Sequence, residues 1–204
     1  MAIKTIVFDF GGVLVDWNPR HLYRKLIPDE AQIDWFLDTI CTNDWNLQQD
    51  KGRLFADATR ERQEKFPEHK ELIAHYYGRW EEMLGDSIPG SVAILKELKQ
   101  AGYPLYGLTN WSAESFPVAL QKFDFFSLFD GILVSGEEKL IKPDFAIFTL
   151  LLERYGLEAQ TCVFIDDNLM NVEAARELGF QAIHFQSASL LRDQLVNWDV
   201  LADS

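Results

Sequence analysis

Cysteine is scarce, with only Cys41 and Cys162 in 204 residues, and the two stand far apart in unrelated contexts. That excludes a disulfide framework and predicts two reduced, buried thiols. Long apolar runs are absent as well: no window approaches the ~18 residues that a membrane-spanning helix needs. The opening residues have neither a basic n-region nor a small-residue cleavage site, so no signal peptide is predicted and a cytoplasmic location is the expectation. Positive charge is outweighed, with 19 Lys and Arg against 32 Asp and Glu for a formal charge of −13. Such a field repels polyanions, so neither nucleic acid nor an acidic membrane surface is expected as a partner. There is no internal repeat, low-complexity tract or long charge run, and nothing bears on oligomeric state. One further absence is local. Two residues after Asp9, where a second carboxylate could serve as a proton donor, stands Gly11.

What is present is an ordinary globular composition, 48% hydrophobic and 25% charged, in a chain long enough to bury a core. From residue 87 onward short apolar runs alternate with segments of helical period, which predicts successive βα units around a parallel sheet. Strands are predicted at 3–8, 104–108, 131–134, 161–165 and 181–185, and helices at about 90–101, 113–123, 145–155, 169–178 and 188–197. Residues 17–86 break this rhythm, with amphipathic helical stretches near 20–27, 29–40, 52–65 and 68–84 and no buried strand. The expectation is an α/β protein: a Rossmann-like, doubly wound parallel sheet built from 1–16 and 87–204, with a small all-helical cap, 17–86, inserted after the first strand. Its aromatics, among them Trp17, Trp45 and Trp80, could line a pocket but are expected to fill the core of the helical layer.

In an open parallel sheet, ligands bind just past the carboxyl ends of the strands, at the point where strand order reverses. The residues there are Asp9, Thr109-Asn110, Lys142 and Asp166-Asp167. Each has a bland reading: a turn or capping carboxylate, a helix-entry loop, a helix start with Asp144 as cap. Together they carry more. Asp9, Asp166 and Asp167 at neighbouring strand ends would repel one another unless a cation sat among them, and with backbone oxygen they form the hard ligand set that suits Mg²⁺. Thr109 offers a hydroxyl, and the loop after it leads into a helix for which Ser112 is the expected N-cap, so its N–H groups could face an anion. Lys142 adds a mobile positive charge. A cation, a lysine, a hydroxyl and peptide N–H groups around one oxyanion make a phosphate site.

In this order and spacing the chain resembles the haloacid dehalogenase superfamily, which consists mostly of phosphatases. Four signature motifs carry the resemblance: Phe8-Asp9-Phe10-Gly11-Gly12-Val13, Leu108-Thr109-Asn110, Lys142-Pro143 and Phe164-Ile165-Asp166-Asp167-Asn168. The helical insert between the first two is similar to the family's C1 type of cap. The resemblance implies that Asp9 is the nucleophile, forming an aspartyl-phosphate that water hydrolyses, with Lys142 as its catalytic partner. It implies phosphate binding by Thr109, Asn110 and Lys142. It also implies Mg²⁺ held by Asp9, the carbonyl of Gly11 and Asp167, with Asp166 as a direct or water-mediated neighbour. Asn171 stands where many relatives have a further acid, and Asp16 stands at the exit toward the cap. The implied substrate is a small phosphate ester, a sugar phosphate being one candidate.

Gly11 departs from the family's usual phosphatase pattern, in which an Asp at that place protonates the leaving oxygen. General acid–base catalysis contributes ~10²–10⁴-fold, so its loss demands an explanation. Three remain open: a substrate whose leaving group needs little protonation, a donor elsewhere such as His21, Asp44 or Glu138, or a 2-haloacid dehalogenase, whose relatives also lack the second Asp. The paired acids Asp166 and Asp167 favour phosphorus over halide. A protein of this fold that binds a phosphorylated ligand without turnover is a fourth reading.

Overall fold

The computed structural model describes residues 2–202. Strand β1 (Thr5–Phe8) is followed by a tight turn and the short β2 (Val15–Trp17). Five helices come next: α1 (Arg20–Tyr23), α2 (Glu30–Thr39), α3 (Asn43–Asp50), α4 (Phe55–Lys65) and α5 (Lys70–Gly78). The chain returns through β3 (Leu84–Ser87) into α6 (Pro89–Gln100), β4 (Leu105–Thr109), α7 (Phe116–Lys122), β5 (Gly131–Val134) and the one-turn α8 (Ser135–Glu138). It ends with α9 (Phe145–Tyr155), β6 (Cys162–Asp166), α10 (Leu169–Glu177), β7 (Gln181–His184) and α11 (Ala188–Asn197).

The main sheet has the order β5-β4-β1-β6-β7, with every neighbouring pair parallel. β1 is central because it is apolar on both faces, and its alternation sends side chains to two different cores. Val7 joins Leu108 and Phe164 against Phe148 of α9 and Val172 of α10. Ile6 and Phe8 join Leu95 of α6 and Leu195 of α11 on the other face. Each such fully buried side chain stabilises the fold by ~1.5–3 kcal/mol relative to its exposed state. Strand order reverses at β1, so the carboxyl ends of β1, β4 and β6 meet at one crevice.

The predicted strands all form. The insert is better anchored than predicted: the boundaries at 16/17 and 86/87 fall inside β2 and β3, which pair antiparallel with Val15 opposite Ser87 and Trp17 opposite Leu84. The second core cluster is continuous from the sheet into the insert, taking in Ile33, Phe36, Trp45, Tyr76 and Trp80. α3 is an addition to the predicted helices, and 68–84 is a single-turn start, a helix and a 3₁₀ turn rather than one helix. α7 begins at Phe116, not near 113: Ser112 accepts from the N–H of Glu114 in a local turn, and Pro117 sits in the helix's first turn. Cys41 and Cys162 are buried and unpaired. Among the described residues no helix is long and apolar enough to cross a membrane.

Candidate active site

Asp9 follows β1 directly, and its N–H donates to the carbonyl of Ile165 at 2.8 Å, which carries the alignment with β6 one residue past the strand. The next side chain, Phe10, points the other way into an aromatic cluster with Phe116, Phe126 and Phe129. It reaches so close to β4 that a Cβ on Gly107 would lie 2.2 Å from its ring. With Phe10 locked in the core, Asp9 is held toward the crevice, where its Oδ1 accepts from the N–H of Phe10 at 2.7 Å.

Lys142 crosses under this group. Its Nζ lies 3.0 Å from Asp9 Oδ1 and donates to Asp166 Oδ2 at 2.6 Å and to the carbonyl of Leu108 at 2.8 Å. All three ammonium donors have partners, and the residue is 2% exposed, so the mobile charge expected from sequence is a fixed one. Against burial, which favours the neutral amine, the Asp166 and Asp9 carboxylates hold its pKa above the ordinary lysine value. Asp166, fully buried, also accepts from the N–H of Asn168 at 2.8 Å and, through both of its oxygens, from the Asn171 amide at 3.1 and 3.0 Å. Its oxygens are thus taken by protein donors. Asp167 is the most exposed of the three acids, and its main-chain carbonyl accepts from His184 Nε2 at 2.9 Å.

One ligand oxygen each from Asp9, Asp166 and Asp167 lie within 4.8 Å of one another. Burial pushes the Asp9 carboxyl up to about 7 against the Lys142 ammonium, and Asp166 and Asp167 add to the rise. Burial and then Asp166 likewise raise Asp167. Three carboxylates that destabilise one another's charge, all hard oxygen donors, fit a divalent cation such as Mg²⁺. The turn is shaped for this: Gly12 has a φ of +72°, and a Cβ there would lie 2.2 Å from Asp167 Oδ2. Only glycine lets that carboxylate pack against the loop after the nucleophile.

Thr109 ends β4, buried beside the crevice. Asn110 follows it, with its side chain turned to the neighbouring loop. Its Nδ2 donates to the carbonyl of Lys142 at 2.9 Å and its Oδ1 accepts the Lys142 N–H at 2.8 Å, so its side chain fixes the lysine backbone with one amide hydrogen still unspent. Asp16 pairs with His21 at 2.9 Å on the stem of the insert.

A small cavity of about 70 Å³ opens between sheet and insert. The core lines it with Gly11, Asn110 and Trp111, and the insert with Asn46, Asp50, Phe55 and Trp80. Trp80 and Trp45 both belong to the core, as expected, with Trp17 packed against it, and Trp17 and Trp80 also show a face to this pocket. Asp50 is a residue sequence reasoning missed. It ends α3, whose sequence Asn43-Asp44-Trp45-Asn46-Leu47-Gln48-Gln49-Asp50 is too polar to reveal a helix; the available signals were the Thr42 N-cap and the Lys51-Gly52 stop. Burial pushes the Asp50 carboxyl up to about 8, against a hydrogen bond from the Ser112 N–H and with a further push from Asp9. The proton donors weighed from sequence do not line this cavity: Asp44 is exposed, Glu138 is paired through both oxygens with Arg154, and His21 lines a neighbouring groove with Gly12 and Trp17.

Residues 3–179 match the family model for haloacid dehalogenase-like hydrolases. A sesquiterpene phosphatase from Aspergillus oryzae is 29% identical over 90% of this chain and 90% of its own length. A drimenol cyclase from Aspergillus calidoustus is 27% identical over 96% of this chain, but the chain spans only 36% of that relative. A haloacid dehalogenase family enzyme from Bacteroides thetaiotaomicron, crystallised with magnesium and inorganic phosphate, has the same fold. It superposes with a TM-score of 0.69 at 24% identity, over 91% of this chain and 96% of that one.

Proposed function

The chain belongs to the haloacid dehalogenase-like hydrolase family, and on that premise we propose that it is an Mg²⁺-dependent phosphatase of a small phosphorylated metabolite, acting through an aspartyl-phosphate on Asp9. The observation that carries this is the convergence of Asp9, Asp166 and Asp167 within 4.8 Å beside a buried lysine. Asp9 is the nucleophile, its carboxylate oriented by Lys142 and by the Phe10 N–H. Splitting hydrolysis into two displacements on phosphorus makes each step easier than direct attack by water. Thr109 offers its hydroxyl to the phosphoryl oxygens. Asn110 and Asp166 act one step back, as positioning residues for Lys142. Mg²⁺, held by Asp9, Asp167 and the Gly11 carbonyl, would neutralise charge on the phosphoryl oxygens. The Bacteroides enzyme's magnesium and phosphate are a precedent within the same fold.

The cavity favours an apolar alcohol as the leaving portion, because Trp17, Phe55, Trp80 and Trp111 supply aromatic wall and the only ionisable side chain among its lining residues is Asp50. The relative named as a sesquiterpene phosphatase supports that choice. The paired acids at the end of β6, Asp166 and Asp167, support phosphorus over carbon–halogen chemistry. The test is a panel of aryl, prenyl and sugar phosphates assayed with Mg²⁺ and with EDTA, alongside 2-haloacids with chloride detection. Turnover of phosphate esters that EDTA and Asp9→Asn both abolish is expected. Metal-independent turnover, or chloride release without phosphate release, overturns the proposal.

A further inference from the structure

An alkoxide leaving phosphorus needs a proton, and residue 11, two past the nucleophile, has no side chain to give one. Gly11 borders open space: a Cβ built there would meet nothing within 4 Å. That space is the cavity between sheet and insert, and among its lining residues Asp50 is the only acid. Asp50 is also held in place. Asn46, one helical turn earlier, donates its amide to Asp50 Oδ2 at 3.0 Å. The Ser135 hydroxyl donates to the Asp50 carbonyl and accepts from the Trp111 N–H at 2.9 Å, tying the end of α3 to the loop after β4. None of these partners is a proposed metal ligand.

We propose that Asp50, carried on the helical insert, is the proton donor and acceptor of the reaction, doing from across the cavity what Gly11 cannot; this rests on the phosphatase function proposed above. In the first step Asp9 Oδ forms a bond to phosphorus while the bond to the leaving oxygen breaks, and the electron pair left on that oxygen takes the Asp50 proton. In the second, water attacks the phosphorus of the aspartyl-phosphate, the Asp50 carboxylate takes the proton that water gives up, and the pair of the breaking bond returns to Asp9. Inorganic phosphate leaves and Asp50 is an acid again. The carboxyl suits the first role because burial, opposed by the Ser112 N–H and aided by Asp9, keeps it protonated at neutral pH. Because Asp50 arrives with the insert, the acid is complete only when sheet and insert are closed on each other, which couples proton transfer to exclusion of water.

The experiment compares two esters of similar size, 4-nitrophenyl phosphate, whose phenolate leaves unaided, and benzyl phosphate, whose alkoxide does not. Rapid-quench measurement of the phosphorylation step is made on the wild type, Asp50→Asn, and Asp50→Asn with Gly11→Asp. In Asp50→Asn the 4-nitrophenyl burst is expected to stay within about threefold of wild type, while benzyl alcohol release falls by ~10²-fold or more and the steady state after the burst slows. Gly11→Asp, entering the same cavity, is expected to restore part of the benzyl rate. Asparagine mimics the neutral acid in shape, so folding is retained, and a variant-free measurement stands beside it: the wild-type phosphorylation rate should depend only weakly on leaving-group pKa. Equal loss on both esters, no loss on either, or a steep wild-type dependence overturns the role of Asp50 while leaving the phosphatase intact. A wild type that turns over neither ester overturns the phosphatase itself and this role with it.

Discussion

Asn110 grips the backbone of Lys142 at both ends of one amide, donating to its carbonyl at 2.9 Å and accepting its N–H at 2.8 Å. The two residues come from different βα connections, so this pair fixes where the lysine leaves its loop and hence where its ammonium meets Asp9. Asn110→Ala is expected to lower kcat by ~10–10²-fold through misplacement of Lys142, with KM changed far less. Steady-state kinetics on 4-nitrophenyl phosphate checks the split; a large KM change with kcat unaltered would return Asn110 to substrate binding.

Lys142 is bracketed by two buried carboxylates, and breaking such a cluster leaves uncompensated charge. Lys142→Met is expected to abolish turnover and to destabilise the fold by about 3–5 kcal/mol in denaturant titration at pH 7. The direction with pH follows from the raised lysine pKa. The ammonium contributes stability that is fully present below the ordinary lysine pKa and lost as pH rises through the higher folded value. The gap between wild type and variant should therefore narrow in alkali. Lys142→Arg does not repair the site, because a planar guanidinium cannot reproduce three tetrahedral donors aimed at Asp9, Asp166 and the Leu108 carbonyl.

Much of this architecture is legible in the amino-acid order itself. The strands of the main sheet are apolar runs closed by turn residues, and the residues just past them supply Asp9, Thr109, Lys142 and Asp166-Asp167. What escapes is whatever depends on long-range pairing. Val15-Asp16-Trp17 and Leu84-Gly85-Asp86-Ser87 have no strand pattern apart; they become strands by pairing across some 70 intervening residues. Burial is equally invisible in a string: Lys142 is expected at the crevice as a mobile charge and is enclosed, and Asp50 reads as one acid among many in a polar segment and faces the cavity. Trp17 and Trp80 are wall only because β2, β3 and the 3₁₀ turn bring them to the same gap.

Asp50 has a signature that needs no substrate. Its folded carboxyl, pushed up to about 8 chiefly by burial, keeps a proton where the unfolded chain has already lost it. Between about pH 4 and 8 the folded state therefore binds more protons than the unfolded state, and stability declines as pH rises through that window. Asp50→Asn loses this share of the decline and keeps the share that Asp9 and Asp167, whose carboxyls are also raised, contribute in both proteins. The variant is expected to match wild type near pH 4 and to exceed it at pH 8 by at least ~1 kcal/mol, or about 2–4 °C in Tm for a chain of this length. A residue retained at a cost to stability is what a functional acid looks like. Melting curves of both proteins across the window decide it, and parallel curves would mean that Asp50 is ionised in the folded state.

Gly12 couples the nucleophile's turn to the last acid of the site. Its φ of +72° disfavours any side chain, and a Cβ would lie 2.2 Å from Asp167 Oδ2. Gly12→Ala must therefore either move the turn, shifting the Gly11 carbonyl, or push Asp167 away; both disturb proposed Mg²⁺ ligands while leaving Asp9 and Lys142 chemically intact. The cost in stability is ~1–3 kcal/mol for the strained backbone. The more telling effect is on the metal: the Mg²⁺ concentration for half-maximal activity is expected to rise by ~10–100-fold, the size seen when a ligand's supporting shell is altered. Saturating Mg²⁺ should recover part of kcat, because the nucleophile and its lysine remain in register. A variant whose Mg²⁺ dependence equals wild type would mean that Asp167 does not hold the metal, and would move that role to Asp166.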